Sequence, residues 1–439
     1  MQTASIASSQ DEGLRREIGL WGLSSNMINA VVGSGIFVLP AIVSQGLGAS
    51  GILAYLFCGF LISVIMLCFA EVGSKITVTG GAYAYIEHAF GKFFGFVTTN
   101  LFIFGACVMA TAAVANALAN TLAYLMPIFH EPVFRAAFFV TIFSLLIFVN
   151  VLGVKQGITL VKIATIAKLA PLFLLICWGV TEISPANLQW ESLPSLDNFG
   201  KISLVLFFAF QGGETSLSVS GEVKKPSKTI PKAIMLSLLV IVLLYISIQL
   251  VAQGILGDSF DNYMTAPLAE VAQRIMGPFG VTLMIIGASV SMFGYLSGDT
   301  LNMPRVLYRS SKDRVIPIKA LSLIHPKFAT PYVSIITYAV MCCVLSLSAE
   351  FKQLAVIASA SLLLIYLGVA SAVIKLRITD RGKQAGFRIP GGYTVPILAI
   401  VTILWFLSNL LPKEMIGITI ALAFFSLLYY LIKYFKPKG

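Results

Sequence analysis

Charged residues are scarce in this chain of 439 residues. Aspartate, glutamate, lysine and arginine together make up 11% of the sequence, whereas soluble globular proteins carry roughly 25%. Apolar residues reach 58%, and the mean hydropathy is +0.91. Because so few charges cannot cover a water-exposed surface, the composition excludes a soluble enzyme and a disordered chain. It predicts an integral membrane protein.

Residues that bind metals or form disulfides are also few. The sequence has six cysteines and three histidines, no CxxC pair occurs, and every cysteine lies inside an apolar run. Structural zinc sites need closely spaced groups of such ligands, and disulfide frameworks need regular cysteine spacings. The sequence therefore predicts no metal site, no cofactor and no enzymatic centre.

Long apolar stretches fill most of the chain. A helix needs about 20 apolar residues to cross the hydrocarbon core, and a helix satisfies its own backbone hydrogen bonds there. The sequence predicts an all-α membrane protein with twelve transmembrane helices. These cover residues 18–44, 50–74, 93–126, 133–152, 156–183, 199–222, 230–254, 279–308, 332–349, 353–375, 394–411 and 415–435.

The basic residues are distributed unevenly between the predicted connections. With a cytoplasmic N-terminus, the cytoplasmic side receives 23 of the 30 lysines and arginines, the outer side receives five, and two lie within the fifth span. This excess follows the positive-inside rule. We expect a multi-pass protein of the cell (inner) membrane with both termini cytoplasmic and a cytoplasmic tail at residues 1–17. Because topology explains most of the net charge of +11, no nucleic-acid partner is expected.

Two predicted spans contain helix-breaking residues near their middle. The first has GSG at residues 33–35, and the sixth has QGGE at residues 211–214. Each glycine disfavours a helix by about 1 kcal/mol. An unwound segment inside a membrane is tolerated where its backbone lines a cavity. Close packing of two helices through small residues is the alternative explanation.

The two interruptions occupy equivalent places in two sets of five spans. This arrangement is typical of transporters built from two inverted repeats, which bind the substrate at the broken helices. The sequence thus predicts a first repeat over 18–183, a second repeat over 199–375 and two further helices over 394–435. Half-helix N-termini suit a carboxylate and freed carbonyl groups suit an ammonium group, so the expected ligand is an α-amino acid.

Four sequence blocks, in this order, resemble the amino acid–polyamine–organocation superfamily of transporters. They are GSGIFVLPA (33–41), TGGAYAYIEHAFGKFFGF (79–96), FFAFQGGE followed by GEVKKPSKTIPKAI (207–234), and MPRVLYRSSKDRVIP (303–317). The resemblance covers nearly the whole chain. It implies an amino acid permease or antiporter with the leucine-transporter-type fold, in which five helices and five inverted helices are followed by two more.

The same resemblance implies positions for the substrate contacts. By analogy, the substrate carboxylate meets the first break and the amine meets carbonyl groups at the second, with Phe208 as a gate over the bound substrate. The expected substrate-binding residues are Gly33, Ser34, Gly35, Ile36, Phe208, Ala209, Gln211 and Gly212.

Lys168 lies deep within the fifth predicted span. An ionisable residue at that depth is a functional candidate, because lipid disfavours its charge. In many sodium-independent relatives, a lysine in this KLxPL context takes the place of a sodium ion. The resemblance therefore implies that the Lys168 ammonium contacts carbonyl groups near Gly33 and hydroxyl groups on the eighth span, such as that of Ser297, and that transport does not require sodium.

Two carboxylates complete the set of residues expected to take part in coupling. Glu214 follows the second break and, by analogy with the arginine/agmatine antiporter, is assigned to proton coupling; capping the second half of the sixth span is the alternative. Asp299 stands, by analogy, where that antiporter has a substrate-contacting aromatic residue. It could attract a cationic substrate, take a proton, or pair with Lys168 or Arg305.

The expected function is sodium-independent secondary active transport of amino acids, by exchange or proton symport, through alternating access. A cationic amino acid or polyamine antiporter that uses Asp299 and Glu214 is the alternative function. A channel is the remote alternative, since the sequence has no repeated selectivity-filter motif. The expected partners are the amino acid and the lipid bilayer, and a homodimer is left open.

Overall fold

The computed structural model describes residues 18–76, 82–152, 158–190, 193–263, 266–312, 316, 318–379 and 387–435. Within these ranges, only the backbone is described for residues 158–167, 218–222, 261–262 and 435. The expected cytoplasmic tail at residues 1–17 lies outside the described residues.

The described residues form α-helices joined by short turns. The helices are α1 (Leu20–Val31), α2 (Gly35–Leu47), α3 (Ile52–Lys75), α4 (Ala82–Phe90), α5 (Lys92–Asn100), α6 (Val108–Leu125), α7 (Pro132–Leu152), α8 (Ile158–Gly179), α9 (Leu196–Phe207), α10 (Pro226–Leu256), α11 (Pro267–Lys312), α12 (Tyr332–Ser348), α13 (Phe351–Thr379), α14 (Thr394–Ser408) and α15 (Pro412–Phe435). Within the described ranges, β-type pairing is limited to one isolated bridge, between Ile18 and Val223. The all-α prediction is confirmed.

Each of the twelve segments predicted to cross the membrane contains helix. By length and composition, seven stretches of the described residues are long and apolar enough to span a bilayer. They are Gly35–Lys75, Lys92–Leu125, Pro132–Leu152, Pro226–Phe260, Pro267–Lys312, Phe351–Thr379 and Pro412–Tyr434. Helices α12 and α14 are shorter apolar helices.

Parts of the helical structure depart from a regular α-helix. Helix α11 bends at Gly277, whose φ is 63°. A π-helical segment, Leu101–Cys107, joins α5 to α6. The second half of the sixth span, Gly213–Glu222, is a 3₁₀-helix. Its sequence, GETSLSVSGE, is rich in glycine, serine and threonine, which favour turns over α-helix.

Large apolar side chains cover the outward faces of the helices. Phe148 on α7, Leu243 on α10, Val401 on α14 and Leu427 on α15 are all more than half exposed. Soluble proteins rarely expose so many large apolar side chains, and such surfaces mark contact with a membrane or a partner. The exposed faces therefore match the predicted contact with lipid.

Two groups of helices can be distinguished, and they contact each other through α13 and α6. In the first group, α3 lies at the centre and contacts α9, α10, α13 and α14; its Tyr55 and Phe69 side chains are fully buried. In the second group, α6, α11 and α12 contact one another, and α12 also contacts α7. Helix α2 contacts both α9 and α11. The first interrupted helix therefore lies where the two groups meet.

Helices α1 and α2 run in the same direction as α10. Ser24 Oγ in α1 donates to the Ala233 carbonyl (3.4 Å), and Ser44 Oγ in α2 donates to Gln253 Oε1 (2.8 Å). The side of the molecule on which α1 and α10 begin is called the N-terminal side below, and the other is called the opposite side.

Candidate functional site

The first predicted interruption is present between α1 and α2. Helix α1 ends at Val31, and Val32 has a non-helical ψ of 88°. Helix α2 begins at Gly35. The first N–H groups of a helix have no partner within it, and the helix dipole makes this end electropositive. The start of α2 can therefore receive an anion inside the protein.

The second interruption follows α9. A 3₁₀ turn, Phe208–Phe210, ends the helix, and Gln211 is extended with φ −86° and ψ 164°. Gly212 has a φ of 107°, which side chains other than glycine rarely adopt. The carbonyl groups just before Gly212 leave the helical hydrogen-bonding pattern here, so they can accept hydrogen bonds from a ligand.

The two breaks lie directly against each other. A Cβ atom built on Gly35 would stand 2.7 Å from the Cβ atom of Ala209, and one built on Gly212 would stand 2.8 Å from the Ala30 carbonyl oxygen. Both distances are too short for a real side chain. Glycine at these two positions is what allows the unwound segments to approach each other.

The Tyr245 hydroxyl lies within hydrogen-bonding distance of both breaks. The fully buried Tyr245 side chain comes from α10, and its hydroxyl lies 3.2 Å from the Val31 carbonyl oxygen and 2.9 Å from that of Ala209. The sequence analysis did not single out this residue. The available signal was a tyrosine within the apolar run of the seventh predicted span.

Lys168 points at the end of α1. Its Nζ donates to the carbonyl oxygens of Asn29 (2.5 Å) and Val32 (2.8 Å), and the side chain is 6% exposed. The C-terminal end of a helix is electronegative, which favours an ammonium group there. Lys168 therefore sits beside Gly33, where the resemblance placed it.

Glu214 caps the second break. Its carboxylate oxygens accept from the backbone N–H of Gly212 at 3.0 and 3.3 Å, and the Tyr366 hydroxyl lies next to the carboxylate. The side chain is 6% exposed. This geometry matches the capping alternative, whereas a role in proton coupling stays a prediction.

Asp299 forms no ion pair with Lys168 or Arg305 within the described residues. Instead, its Oδ2 accepts hydrogen bonds from Thr111 Oγ1 of α6 (2.5 Å) and from the Tyr338 hydroxyl of α12. Asp299 is partly exposed. The partners of this carboxylate are therefore neutral. The alternative prediction that Asp299 pairs with Lys168 or Arg305 is wrong.

The remaining predicted site residues differ in what they can offer. Phe208 is partly exposed, and its ring packs edge-on against Phe351 with centroids 5.7 Å apart. Ile36 is fully buried, so its side chain is not available to a ligand. Ser34 Oγ and Gln211 Nε2 are buried and lack a hydrogen-bond partner in the described part of the chain. Such orphaned groups are expected where a ligand or water binds.

The two halves of the first interrupted helix differ in exposure. Ser25 and Asn26 in α1 are exposed, although polar side chains are unfavourable in lipid. In α2, by contrast, residues 35–41 are all buried. Gly33 and Gly212 at the breaks are partly exposed. The first interrupted helix is therefore more exposed on the N-terminal side of the breaks than on the opposite side, where its residues are packed.

A second group of charges joins the C-terminal ends of α3 and α13, and the sequence analysis missed it. Arg377 of α13 donates from Nε to Glu71 Oε1 (2.8 Å) and from Nη2 to Glu71 Oε2. Lys75 Nζ also donates to Glu71 Oε1 (2.9 Å), and the Ile389 N–H donates to Oε2 (2.9 Å). We call this group the Glu71 cluster. The signal in the sequence was a glutamate within the apolar run that forms α3.

The chain is similar to known proteins over nearly its whole length. The family described as "Amino acid permease" matches residues 18–432. The serine/threonine exchanger SteT of Bacillus subtilis (strain 168) is 28% identical over 92% of this chain and 93% of its own length. The branched-chain amino acid permease BcaP of the same organism is 28% identical over 93% of this chain and 91% of its own length.

A human protein is also similar. The large neutral amino acids transporter small subunit 2 of Homo sapiens is 27% identical over 72% of this chain and 62% of its own length. Together with the apolar helices, these similarities identify a multi-pass membrane protein.

Proposed function

Since the chain belongs to the amino acid permease family, we propose that it is a sodium-independent secondary transporter of amino acids that works by alternating access. The proposed layout has twelve membrane crossings, with inverted repeats over 18–183 and 199–375 and two further helices over 394–435. The N-terminal side is proposed to be cytoplasmic, because the basic residues concentrate in the connections on that side.

The observation that carries this proposal is the contact between two unwound segments within apolar helices. Gly35 stands against Ala209 and Gly212 against Ala30, so backbone groups of both segments face one region. Non-helical backbone at membrane depth is tolerated only where it lines a cavity or is buried in protein. A small zwitterion is the ligand class that uses both a free helix N-terminus and freed carbonyl groups.

The substrate carboxylate is proposed to bind at the start of α2. Gly33, Ser34, Gly35 and Ile36 offer backbone N–H groups there, and the unpartnered Ser34 hydroxyl can donate one more hydrogen bond. The positive end of the α2 dipole favours the same charge. This arrangement needs no cationic side chain to hold the carboxylate.

The substrate amine is proposed to bind the carbonyl groups of Phe208, Ala209 and Gln211. The Ala209 carbonyl already lies within reach of the Tyr245 hydroxyl, but a carbonyl oxygen has two lone pairs and can accept a second hydrogen bond. Phe208 is proposed as the gate, because it is partly exposed and packs by its edge on only one described ring, that of Phe351.

Lys168 is proposed to make sodium unnecessary. Its ammonium already binds the Asn29 and Val32 carbonyl groups, where a monovalent cation would otherwise find oxygen ligands. A fixed cation at this place stabilises the unwound end of α1 without an ion from solution.

The exposure difference between α1 and α2 supports a state that is open to the N-terminal side. In alternating access, the first group of helices would rock against the second until the polar face with Ser25 and Asn26 closes and the α2 side opens. Glu214 is proposed to bias this change, since protonation of its carboxylate would weaken the cap on the Gly212 N–H. Exchange and proton symport both fit this mechanism.

Transport into proteoliposomes tests the proposal. Purified full-length protein is reconstituted with or without internal amino acids, and uptake of labelled L- and D-amino acids is measured under imposed proton or sodium gradients. The expected result is saturable uptake that prefers L-amino acids and needs no sodium. Uptake that requires internal amino acid would indicate exchange, and uptake driven by a proton gradient alone would indicate symport.

Protein-free liposomes and the variant Lys168→Met serve as controls. The variant is expected to lose uptake, because its side chain cannot replace the ammonium at the end of α1. Strict sodium dependence of the wild-type protein would contradict the role of Lys168. Absence of saturable uptake for every amino acid would overturn the proposed function.

A further inference from the structure

The turn between α12 and α13 is held by a buried asparagine of another helix. Helix α12 ends at Ser348, and α13 begins at Phe351. Asn116 of α6 is 2% exposed, and its Nδ2 donates to the carbonyl oxygens of Ser346 (3.1 Å) and Ala349 (3.3 Å). The last carbonyl groups of a helix have no partner within it, so Asn116 supplies donors to the end of α12.

Arg135 fixes the orientation of this asparagine. From α7, its Nη2 donates to Asn116 Oδ1 and its Nη1 donates to Asn120 Oδ1, both at 2.7 Å. A guanidinium group has donors only, so it requires the oxygen of the Asn116 amide and turns the NH2 group towards α12. Asn116 and Arg135 are called the Asn116 anchor below.

The helix that begins after this turn carries the ring against which the proposed gate packs. Phe351 is 5% exposed, and Phe208 packs edge-on against it with ring centroids 5.7 Å apart. Phe208 is partly exposed and lies in the 3₁₀ turn before the second break. Ala349, whose carbonyl Asn116 holds, stands only two positions before Phe351. The Asn116 anchor therefore sets where the Phe351 ring lies.

Phe351 lies on the opposite side of the breaks. The other end of its helix reaches the Glu71 cluster, where Arg377 meets the C-terminal end of α3. A Cβ atom built on Gly73, in the same part of α3, would lie 4.0 Å from Ile230, which is near the start of α10. The C-terminal end of α13 is thus on the N-terminal side, and its first residue is on the other.

The contact between Phe208 and Phe351 crosses the boundary between the two groups of helices. Phe208 continues α9, which belongs to the first group, whereas Asn116 ties the start of α13 to α6 and α12 of the second group. Residues 35–41 of α2 are packed on the opposite side, so the two rings meet in a state that is closed there. Opening of the opposite side requires the two groups to separate, and the ring contact is then lost.

We propose that Phe351 is the surface on which the Phe208 gate closes, and that Asn116 and Arg135 are positioning residues that hold Phe351 in place. This inference rests on the proposed function, which supplies the gate and alternating access. The Asn116 anchor acts through Phe351 and favours the state that is closed on the opposite side. Its loss lets the first turn of α13 move away from Phe208 and shifts the population towards the open state.

The distance between two spin labels tests this assignment without a substrate. Leu196 begins α9 and Phe279 lies on α11, and both side chains are exposed. The N-terminal parts of α9 and α11 lie against the ends of α2 and α10, so both labels report on the opposite side. The labels replace these two residues in the full-length protein, in which Cys177→Ser and Cys343→Ser remove the thiols that are not buried.

Weakening either part of this arrangement should open the opposite side. Asn116→Ala and Phe351→Ala are each expected to raise the ratio of open to closed populations by about two- to tenfold, which corresponds to the loss of one aromatic pair. Phe208→Ala is expected to have the same effect. Adding Asn116→Ala to Phe208→Ala is expected to give no further shift, because the Asn116 anchor acts through the ring contact. Independent sites would instead give additive shifts.

The matched control is Asn150→Ala. Asn150 is 4% exposed and joins α7 to Thr300 of α11 (3.4 Å), so its loss is expected to leave the label distances unchanged. Unchanged distances in Asn116→Ala, or additive shifts in the double variant, would overturn the inference. If Asn116→Ala does not fold, unchanged distances in Phe351→Ala overturn it equally.

The same measurements separate this inference from the proposed function. Absence of saturable amino acid uptake by the wild-type protein in proteoliposomes would overturn the proposed function. Normal uptake by the wild-type protein, with label distances that do not respond to Asn116→Ala or Phe351→Ala, would overturn only the assignment of the gate surface and its positioning residues.

Discussion

Charged side chains lie among the packed helices in two regions of this molecule, and the two regions differ in the partners that these side chains have. In the Glu71 cluster, the carboxylate meets two cationic side chains and one backbone N–H, and the Arg377 and Glu71 side chains are 2% and 1% exposed. Around the breaks, Lys168, Glu214 and Asp299 are each held by neutral groups instead.

The difference separates structural charges from functional ones. A buried ion pair whose members satisfy each other has nothing left to offer a ligand, and breaking it leaves an uncompensated charge. Among the side chains that the structure describes, Lys168, Glu214 and Asp299 have no oppositely charged hydrogen-bond partner. The comparison therefore predicts that substitutions in the Glu71 cluster act mainly on stability, whereas substitutions at the breaks act mainly on transport.

Removing Arg377 should have the largest effect on stability. Arg377→Met leaves Glu71 buried with Lys75 as its remaining cationic partner, and the free energy of unfolding should fall by about 3–5 kcal/mol. Thermal unfolding of the purified protein in detergent measures the change. The control is Lys201→Met, which breaks the exposed pair with Asp197 and should change stability by less than about 1 kcal/mol. Equal melting curves for the two variants would contradict a structural role for the cluster.

Removing the Lys168 ammonium should act on transport more than on stability. Lys168→Met leaves the Val32 carbonyl group without this donor, and the loss should destabilise the fold by about 1–3 kcal/mol. Uptake into proteoliposomes should fall at least about tenfold, since a loss of 1.4 kcal/mol in binding already corresponds to a factor of ten. Uptake at the wild-type level would show that the ammonium is dispensable.

A methyl group at the second break should have a similar or smaller effect. Gly212→Ala places a Cβ atom 2.8 Å from the Ala30 carbonyl oxygen on a backbone with φ 107°, which should add strain of about 1–3 kcal/mol. Substrate affinity, measured by ligand-induced stabilisation, should weaken. Gly417→Ala is the matched control, because its Cβ atom would meet open space. The idea fails if the two alanine variants bind substrate equally well.

Removing the Tyr245 hydroxyl should have the smallest effect of this series. Tyr245→Phe keeps the ring but removes the hydrogen bonds to Val31 and Ala209, which should lower stability by about 0.5–1.5 kcal/mol. The ratio of uptake rates in the two directions across oriented proteoliposomes should change, because this hydroxyl joins both breaks. Tyr430→Phe, on the exposed face of α15, is the control. An unchanged ratio of uptake rates would contradict the proposal that the Tyr245 hydroxyl links the two breaks.

The positions of the helices and their two breaks could be predicted from the sequence, because both depend on local composition. Apolar runs of sufficient length gave the helical segments, and paired glycines marked 33–35 and 211–213. Lys168 was also accessible, since a lysine in an apolar run is conspicuous in any sequence. The resemblance then implied its contact at the end of α1, which the structure contains.

Contacts between distant segments could not be predicted in the same way. Glu71 and Arg377 are 306 residues apart, and no local pattern connects them. The partners of Asp299 come from two other helices, and no local sequence pattern distinguishes them from Lys168 or Arg305. These contacts depend on how the helices pack against one another, and a single sequence does not show this packing.

An experimental structure of the full-length protein with a transported amino acid tests the central claim most directly. The account predicts ligand density between the start of α2 and the end of α9, with the carboxylate near Ser34 and Gly35 and the amine near the Phe208 and Ala209 carbonyl groups. Density at a different place, or a continuous α-helix through residues 33–35, would contradict it.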